Sequence, residues 1–470
     1  MTRADPTESW TPRLGDESEP VYRAIARALE ADIRVGRLEP GDPLPPQREL
    51  AERLGVNFTT VTRAYAEARR RGLITATVGR GTFVAEARAR AARVGEAGGQ
   101  DLSVNAPPVP RWMPGAFRST VVRIGADAVL AHNTLSYASR LGDVEAREAG
   151  ARWLEGRGLQ PSPERIVATA GAQHALSLLL STLARPGDAV LVEALAYPGL
   201  QGAAAAAAVR LVGVDIDDEG VRPDALDAAC ARHAPKALFC VPTLQNPTTA
   251  VMSPGRQRDV IDVARRHSLR IVEDDICGPL FPDATPLAAL APESVVYVGS
   301  LSKCVAPGLR TAFVLAPTPD EAVRLGAAVR ASVLMLSPLP LAVASAWIAD
   351  GTAQRAAADI RTEAAARGEL ARRIFGEASV SAPPGSLHAW LRLPSTWTVA
   401  AFVAQAQQHG VRVAPADWYL MPAAEDRAPA PPAAVRLSLG AEPDRAQLER
   451  ALRTVAGILD QPVALRASSL

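Results

Sequence analysis

The chain has 470 residues, with 51 basic and 50 acidic side chains and a net charge of +1. That balance excludes a polycationic or polyanionic disordered chain, and 48% hydrophobic residues suffice for a large core. The length predicts a small head and a large body. The first 18 residues are polar without an apolar signal core, and no 18-residue apolar stretch occurs, which predicts a cytoplasmic protein with no membrane partner. Cys230, Cys240, Cys277 and Cys304 show neither metal-ligand spacing nor a disulfide pattern, so no metal is expected.

After the polar tail (1–18), apolar spacing predicts a helix at about 19–36, a short one from near Pro46 to Gly55, and a third capped by Asn57 and running to Arg71. Leu73 to Thr77 and Thr82 to Val84 then read as a hairpin around Val-Gly-Arg-Gly. Two helices joined by a Gly-containing turn and followed by a hairpin describe a winged helix-turn-helix. Residues 21–84 carry 11 arginines against 7 carboxylates, an excess suited to a phosphate-lined partner. Thr59, Thr60, Thr62 and Arg63 cluster near the start of the third helix, where a recognition helix meets base edges. Arg48 begins the second helix and Arg80 tips the wing, and both are expected to reach double-stranded DNA. Leu-Pro-Pro-Gln-Arg-Glu-Leu-Ala (44–51) and Gly-Arg-Gly-Thr-Phe-Val (79–84) resemble the GntR-type DNA-binding domain. A head over 19–86 and a linker over 87–107 are expected.

Residues 108–470 predict an α/β body, with a large part at about 108–340 and a smaller one at about 341–470. Its motifs fall at the ends of apolar runs. Thr169-Ala-Gly-Ala-Gln-His-Ala175 is a strand, a small-residue turn and a helix start, and the amides of Ala172 and Gln173 would cradle a phosphate. Glu193-Ala-Leu-Ala-Tyr-Pro-Gly199 places Tyr197 after the next strand. Val241-Pro-Thr-Leu-Gln-Asn-Pro-Thr-Thr249 offers the Asn246 amide, able to donate to a phenolic oxygen. Arg270-Ile-Val-Glu-Asp-Asp-Ile-Cys277 ends a buried strand with paired carboxylates, where crevices form in open α/β sheets. A buried Asp274 there could keep a pyridinium nitrogen protonated.

Only two of the 51 basic residues are lysines, Lys236 and Lys303. A lysine amine forms a Schiff base and an arginine does not. Lys236 precedes an apolar run and reads as a strand-edge charge. Lys303 lies in Gly299-Ser-Leu-Ser-Lys-Cys-Val-Ala-Pro-Gly-Leu-Arg310, a small-residue run between two apolar segments.

These motifs, in this order, resemble the pyridoxal-phosphate enzymes of the aspartate-aminotransferase fold (fold type I). The resemblance implies that Lys303 holds the cofactor as a Schiff base and Asp274 pairs with its ring nitrogen. Asn246 would bond the ring oxygen and Tyr197 stack on the ring. Ser300, Ser302 and Arg310 would join Ala172 and Gln173 at the phosphate, and Tyr137 would reach the phosphate in a partner subunit. Arg436, in Ala434-Val-Arg-Leu-Ser-Leu-Gly440, would grip a ligand carboxylate. Asn105, His388 and Trp418 are expected in the cleft that selects an effector. Two positions depart from the pattern. Ile276 and Cys277 stand where most members carry a tyrosine, and Thr249 replaces a glycine, so efficient transamination is less expected than cofactor binding.

Head and body together resemble the MocR/GabR-type regulators, which join a GntR winged helix to an aminotransferase-like domain, usually as a homodimer. The fold expected is α/β, an N-terminal winged helix-turn-helix plus a fold type I transferase body with a large mixed-sheet part and a smaller C-terminal part. The function expected is a pyridoxal-phosphate-dependent transcriptional regulator that senses a small amino compound. An active aminotransferase with a DNA-binding or autoregulatory head is the alternative.

Overall fold

The computed structural model describes residues 10–12, 20–34, 37–38, 41–70, 73–77, 81–84, 99–137, 144–422 and 432–460. Arg80, most of the polar tail and residues 87–98 of the expected linker lie outside the described residues. The chain divides into two compact units, 1–99 and 100–470.

The first unit runs α1 (Val21–Arg34), β1 (Pro43–Leu44), α2 (Gln47–Leu54), α3 (Phe58–Arg70), β2 (Ile74–Thr77) and β3 (Gly81–Val84). Gly55 ends α2 at φ 63°, a left-handed cap that a side chain would disfavour. The Asn57 side chain accepts from the Thr59 amide at 2.9 Å, as expected of a cap. Ile25, Leu29, Leu50, Val61, Ala64 and Val84 make one buried core beneath the helices and wing. The wing has a third strand that the sequence did not announce. Pro43 and Leu44 pair antiparallel with Phe83 and Thr82. A two-residue strand among prolines has no periodicity to read.

In the second unit, seven strands lie in the spatial order Ile166–Thr169, Ala312–Leu315, Val295–Ser300, Arg270–Asp274, Ala237–Cys240, Ala189–Glu193 and Arg210–Val214. Ala312–Leu315 runs antiparallel to both neighbours, and the other pairings are parallel. Runs such as Val190-Leu-Val192 are apolar throughout because helices cover both sheet faces, and a core lies on each side. A second, four-stranded antiparallel sheet is built from Val380–Ser381, His388–Arg392, Ala434–Ser438 and Ala414–Pro415.

Two expected boundaries move. Gln100–Asp101 pairs with Val411–Arg412 and Leu102 is fully buried, so residues 100–107 of the expected linker belong to the body. That strand is too short for alternation to show. The division expected near 340 falls instead inside one long helix, Thr352–Phe375. Ala353, Ala356 and Ile360 pack into the large core, while Leu370 and Ala371 pack into the small one.

Candidate functional site

Consecutive carboxylates at the end of strand Arg270–Asp274 have three different fates. Glu273 lies within the core and accepts the Leu287 and Ala288 amides at 2.9 and 2.8 Å. Asp275 pairs with buried Arg157 at 2.9 Å and accepts from Tyr297 Oη at 2.7 Å. Asp274 Oδ1 is buried without a hydrogen-bond partner. Burial, then the Asp275 charge, pushes the Asp274 carboxyl up to about 7, against the pull of Lys303.

Lys303 follows strand Val295–Ser300, the neighbour of the Asp274 strand. Its Nζ donates to the main-chain oxygen of Asn105. Burial draws the amine below the usual lysine range. Lys236, by contrast, is exposed.

Two positions along the sheet, past Ala312–Leu315, helix Ala172–Leu183 follows strand Ile166–Thr169 and begins after Gly171, which holds φ 85° and gives no side-chain cap. Its first amides are therefore available to an anion. Arg310 Nη2 donates to Ala170 O at 3.3 Å, and a Cβ at Gly171 would lie 2.6 Å from that nitrogen. Only a glycine leaves room for the guanidinium beside the helix start. Ser300 Oγ accepts from the Ser302 amide at 3.1 Å, and Ser302 Oγ is buried without a partner. Gln173 Nε2 donates to Gly199 O at 3.0 Å, which joins this turn to that of Tyr197, and its Oε1 is buried and unpartnered. Tyr197 is 39% exposed.

The other wall comes from the small sheet. Arg436 is 6% exposed and donates to Asn246 Oδ1 at 2.8 Å and to Ser103 O at 2.6 Å. Its guanidinium lies 5.2 Å from the centre of the Tyr419 ring. Asn105 Nδ2 lies 3.3 Å from His388 Nδ1. The expected residues Lys303, Asp274, Asn246, Tyr197, Ala172, Gln173, Ser300, Ser302, Arg310, Arg436 and Asn105 thus line one region at the carboxyl edge of the sheet. Trp418 is 54% exposed, and Tyr137, 81% exposed, is not among them.

Sequence reasoning missed Ser103, Arg157, Glu193, Gln245 and Tyr419. Gln245 is wholly buried and donates to Glu193 Oε2 at 2.9 Å and to Leu195 O at 2.6 Å, bracing the Asn246 turn. Burial pushes Glu193 up to about 8. A buried Gln next to an Asn-Pro turn was the available signal, but a turn glutamine is ordinarily solvated. Thr249 holds φ 67°, which explains the glycine it replaces, and its hydroxyl meets Ser381 Oγ at 2.6 Å. Cys277 is buried and Ile276 half-buried, and neither supplies a phenol's hydrogen bond.

On the head, Arg48, Thr59, Thr62 and Arg63 are exposed and Thr60 is half-buried. Thr59, Thr62 and Arg63 share one face of α3 by their spacing. Thr62 Oγ1 donates to Gln47 Oε1 at 2.9 Å, and the Arg48 guanidinium lies 5.8 Å from the centre of the exposed Phe58 ring. Among the described residues no helix is long and apolar enough to cross a membrane.

The body site fits pyridoxal phosphate on its own donors and acceptors. The orphaned Asp274 Oδ1 suits a protonated ring nitrogen, Lys303 an aldehyde, and the uncapped helix start with Ser302 and Arg310 a phosphate.

Residues 100–455 match the family of class I and II aminotransferases, and residues 21–84 match the bacterial regulatory proteins of the gntR family. The uncharacterized HTH-type transcriptional regulator YdeF of Bacillus subtilis is 29% identical over 457 residues, covering 96% of this chain and 97% of its own. The probable rhizopine catabolism regulatory protein MocR of Rhizobium meliloti is 29% identical over 331 residues, 64% of this chain and 66% of its own. Among solved structures, the α-aminoadipate aminotransferase LysN of Thermus thermophilus, complexed with a phosphopyridoxyl-leucine conjugate, superposes with TM-score 0.69 at 24% identity. It covers 81% of this chain and 97% of that one. This likeness shows the fold.

Proposed function

This chain belongs to the aminotransferase class I and II family and carries a gntR-family head, and on that premise we propose that it is a pyridoxal-phosphate-dependent transcriptional regulator that senses an amino compound. The observation that carries the reading is the convergence of Lys303, an Asp274 whose Oδ1 has no partner, and buried Arg436 on one site, in a chain that also bears an arginine-rich winged helix. Pyridoxal phosphate supplies an aldehyde that takes up a primary amine and a ring that draws electrons from it.

Lys303 would anchor that aldehyde, and its lowered proton affinity favours the neutral, nucleophilic amine. Asp274 would hold a proton on the ring nitrogen. Asn246 would donate to the ring oxygen and Tyr197 cover the ring face. Ala172, Gln173, Ser300, Ser302 and Arg310 would bind the phosphate. Arg436 would take a ligand carboxylate through its planar fork. Arg48, Thr59, Thr60, Thr62, Arg63 and Arg80 would meet double-stranded DNA. A homodimer would place two heads on paired half-sites and gain avidity, with Tyr137 reaching the cofactor of the second copy.

Regulation requires only that the amino compound favour one state by about 1–3 kcal/mol. Fast turnover would erase such a signal, and a phenol is missing at Ile276 and Cys277. The test mixes cofactor-loaded protein with amino acids and a keto-acid acceptor and follows both spectrum and product. A spectral shift without product supports the regulator. Sustained turnover above roughly 1 per second supports the alternative, an active aminotransferase with a DNA-binding head.

A further inference from the structure

One short segment places two main-chain oxygens on two cations of the site, Lys303 and Arg436. Leu102 is held to the small part of the body, donating to Arg412 O at 2.8 Å and accepting from the Ser438 amide at 2.7 Å. Ser103 is fastened by Asp101 Oδ1, which accepts its amide at 2.9 Å and its hydroxyl at 2.6 Å. Ser103 O then receives Arg436 Nη2 at 2.6 Å, and Asn105 O receives Lys303 Nζ. Just beyond, a Cβ on Gly440 would collide with Ala106 O, so the segment lies flush against the end of the Arg436 strand.

The Asn105 side chain is fixed as well. His388 Nε2 faces the Gln245 carbonyl at 3.2 Å and must donate to it. The ring is wholly buried beside Arg436, which pushes it down to about 3 and keeps it neutral. Nδ1 therefore accepts, and Asn105 turns its Nδ2 toward it, leaving Oδ1 buried without a partner.

We propose that residues Ser103 to Asn105 are a two-point plug that sets ligand specificity. Its carbonyls stand in for a ligand carboxylate at Arg436 and for the amine-accepting group at Lys303. This rests on the cofactor reading of the site and deepens it. A neutral carbonyl is the weaker acceptor for a guanidinium, since a carboxylate brings an opposite charge and two oxygens that can meet the fork at once. An incoming carboxylate therefore displaces Ser103 O at a net gain. The cofactor's aldehyde, by taking Lys303, would free the Asn105 point; a simple amine then leaves the Ser103 point closed, and only a ligand that carries a carboxylate opens it. The released segment is chain-continuous with residues 85–99, which lead to the winged helix.

The test uses full-length protein freed of cofactor and two probes that do not react with Lys303, pyridoxamine 5′-phosphate and N-(5′-phosphopyridoxyl)-L-alanine. They share ring and phosphate and differ in the carboxylate-bearing arm. Calorimetry gives the affinity ratio of the conjugate to the amine in wild type, Gly440→Ala and Asp101→Ala. The first variant forces Ala106 O away and the second unfastens Ser103. Either loosens the plug, so the ratio should rise about fivefold, the worth of roughly one hydrogen bond. Amide exchange at Leu102, Ala106 and Ser438 should quicken with the conjugate and much less with pyridoxamine phosphate. If Gly440→Ala does not fold, Asp101→Ala decides. An unchanged or smaller ratio in a folded variant, or exchange that does not separate the probes, overturns the plug. If neither probe binds the wild type, it is the cofactor reading that fails.

Discussion

Arg436 and Asn246 are 190 residues apart in sequence, yet Arg436 Nη1 donates to Asn246 Oδ1 at 2.8 Å. The contact joins the small sheet to the turn after strand Ala237–Cys240 and settles which way the Asn246 amide faces. With Oδ1 taken, Nδ2 is the end left to donate toward a ring oxygen. Asn246→Asp would set a second anionic acceptor there. Cofactor affinity should fall about tenfold, the order of one lost charge-assisted hydrogen bond. Titration of the variant with pyridoxal phosphate checks this, and unaltered affinity would remove Asn246 from the ring oxygen.

Borohydride reduction of cofactor-loaded protein should fix the adduct on Lys303, and Lys303→Ala should abolish it. Peptide mapping reads the position. An adduct on exposed Lys236 would show the assignment to be wrong.

Asp274 makes the cofactor-free protein sensitive to pH. Its folded value of about 7 lies above the unfolded carboxyl value, about 3.9. Between these the folded state binds more protons than the unfolded one. The contribution of Asp274 is fully present below about pH 4 and is lost as pH rises through about 7. At roughly 1.4 kcal/mol per unit the ceiling is about 4 kcal/mol. Asp274→Asn should flatten part of this slope and be the more stable protein at pH 8 without cofactor, while binding pyridoxal phosphate far more weakly. Glu193 and Glu273, each pushed up to about 8 by burial, slope the same way and should leave a residual dependence. Urea unfolding from pH 4 to 8 measures it. An identical slope in the variant refutes the assignment.

Arg157 and Asp275 form a buried ion pair at 2.9 Å. Arg157→Ala strands the Asp275 carboxylate and should cost about 3–5 kcal/mol of stability. A loss below about 1 kcal/mol, the range of a surface pair, would mean the pair is not desolvated.

For the head, Arg63→Ala should lose discrimination between operator and random duplex, worth about 1–3 kcal/mol if it meets a base edge. Arg48→Ala should weaken binding to all sequences alike and reduce the salt slope by about one ion. Equal loss on every sequence for Arg63→Ala would remove it from base readout.

The sequence by itself determined the elements and the chemistry that sits at their ends. Unbroken apolar runs such as Val190-Leu-Val192 declare strands buried on both faces, and a scarce lysine in a small-residue run declares Lys303. Asn57 and Gly55 mark helix ends because caps act within a few residues. These are local signals, and local physics produces them. The resemblance pointed to Asp274, but only the tertiary structure decided what each of the three neighbouring carboxylates meets. Glu273, Asp274 and Asp275 are adjacent in sequence, but the core amides of Leu287 and Ala288 take the first and Arg157 takes the third. Only the fold set the Leu102–Ala106 segment across Lys303 and Arg436, where the sequence suggested a linker. The reason is that a hydrogen bond's partner is fixed by distance in space, and a backbone carbonyl carries no side-chain identity that a sequence could show.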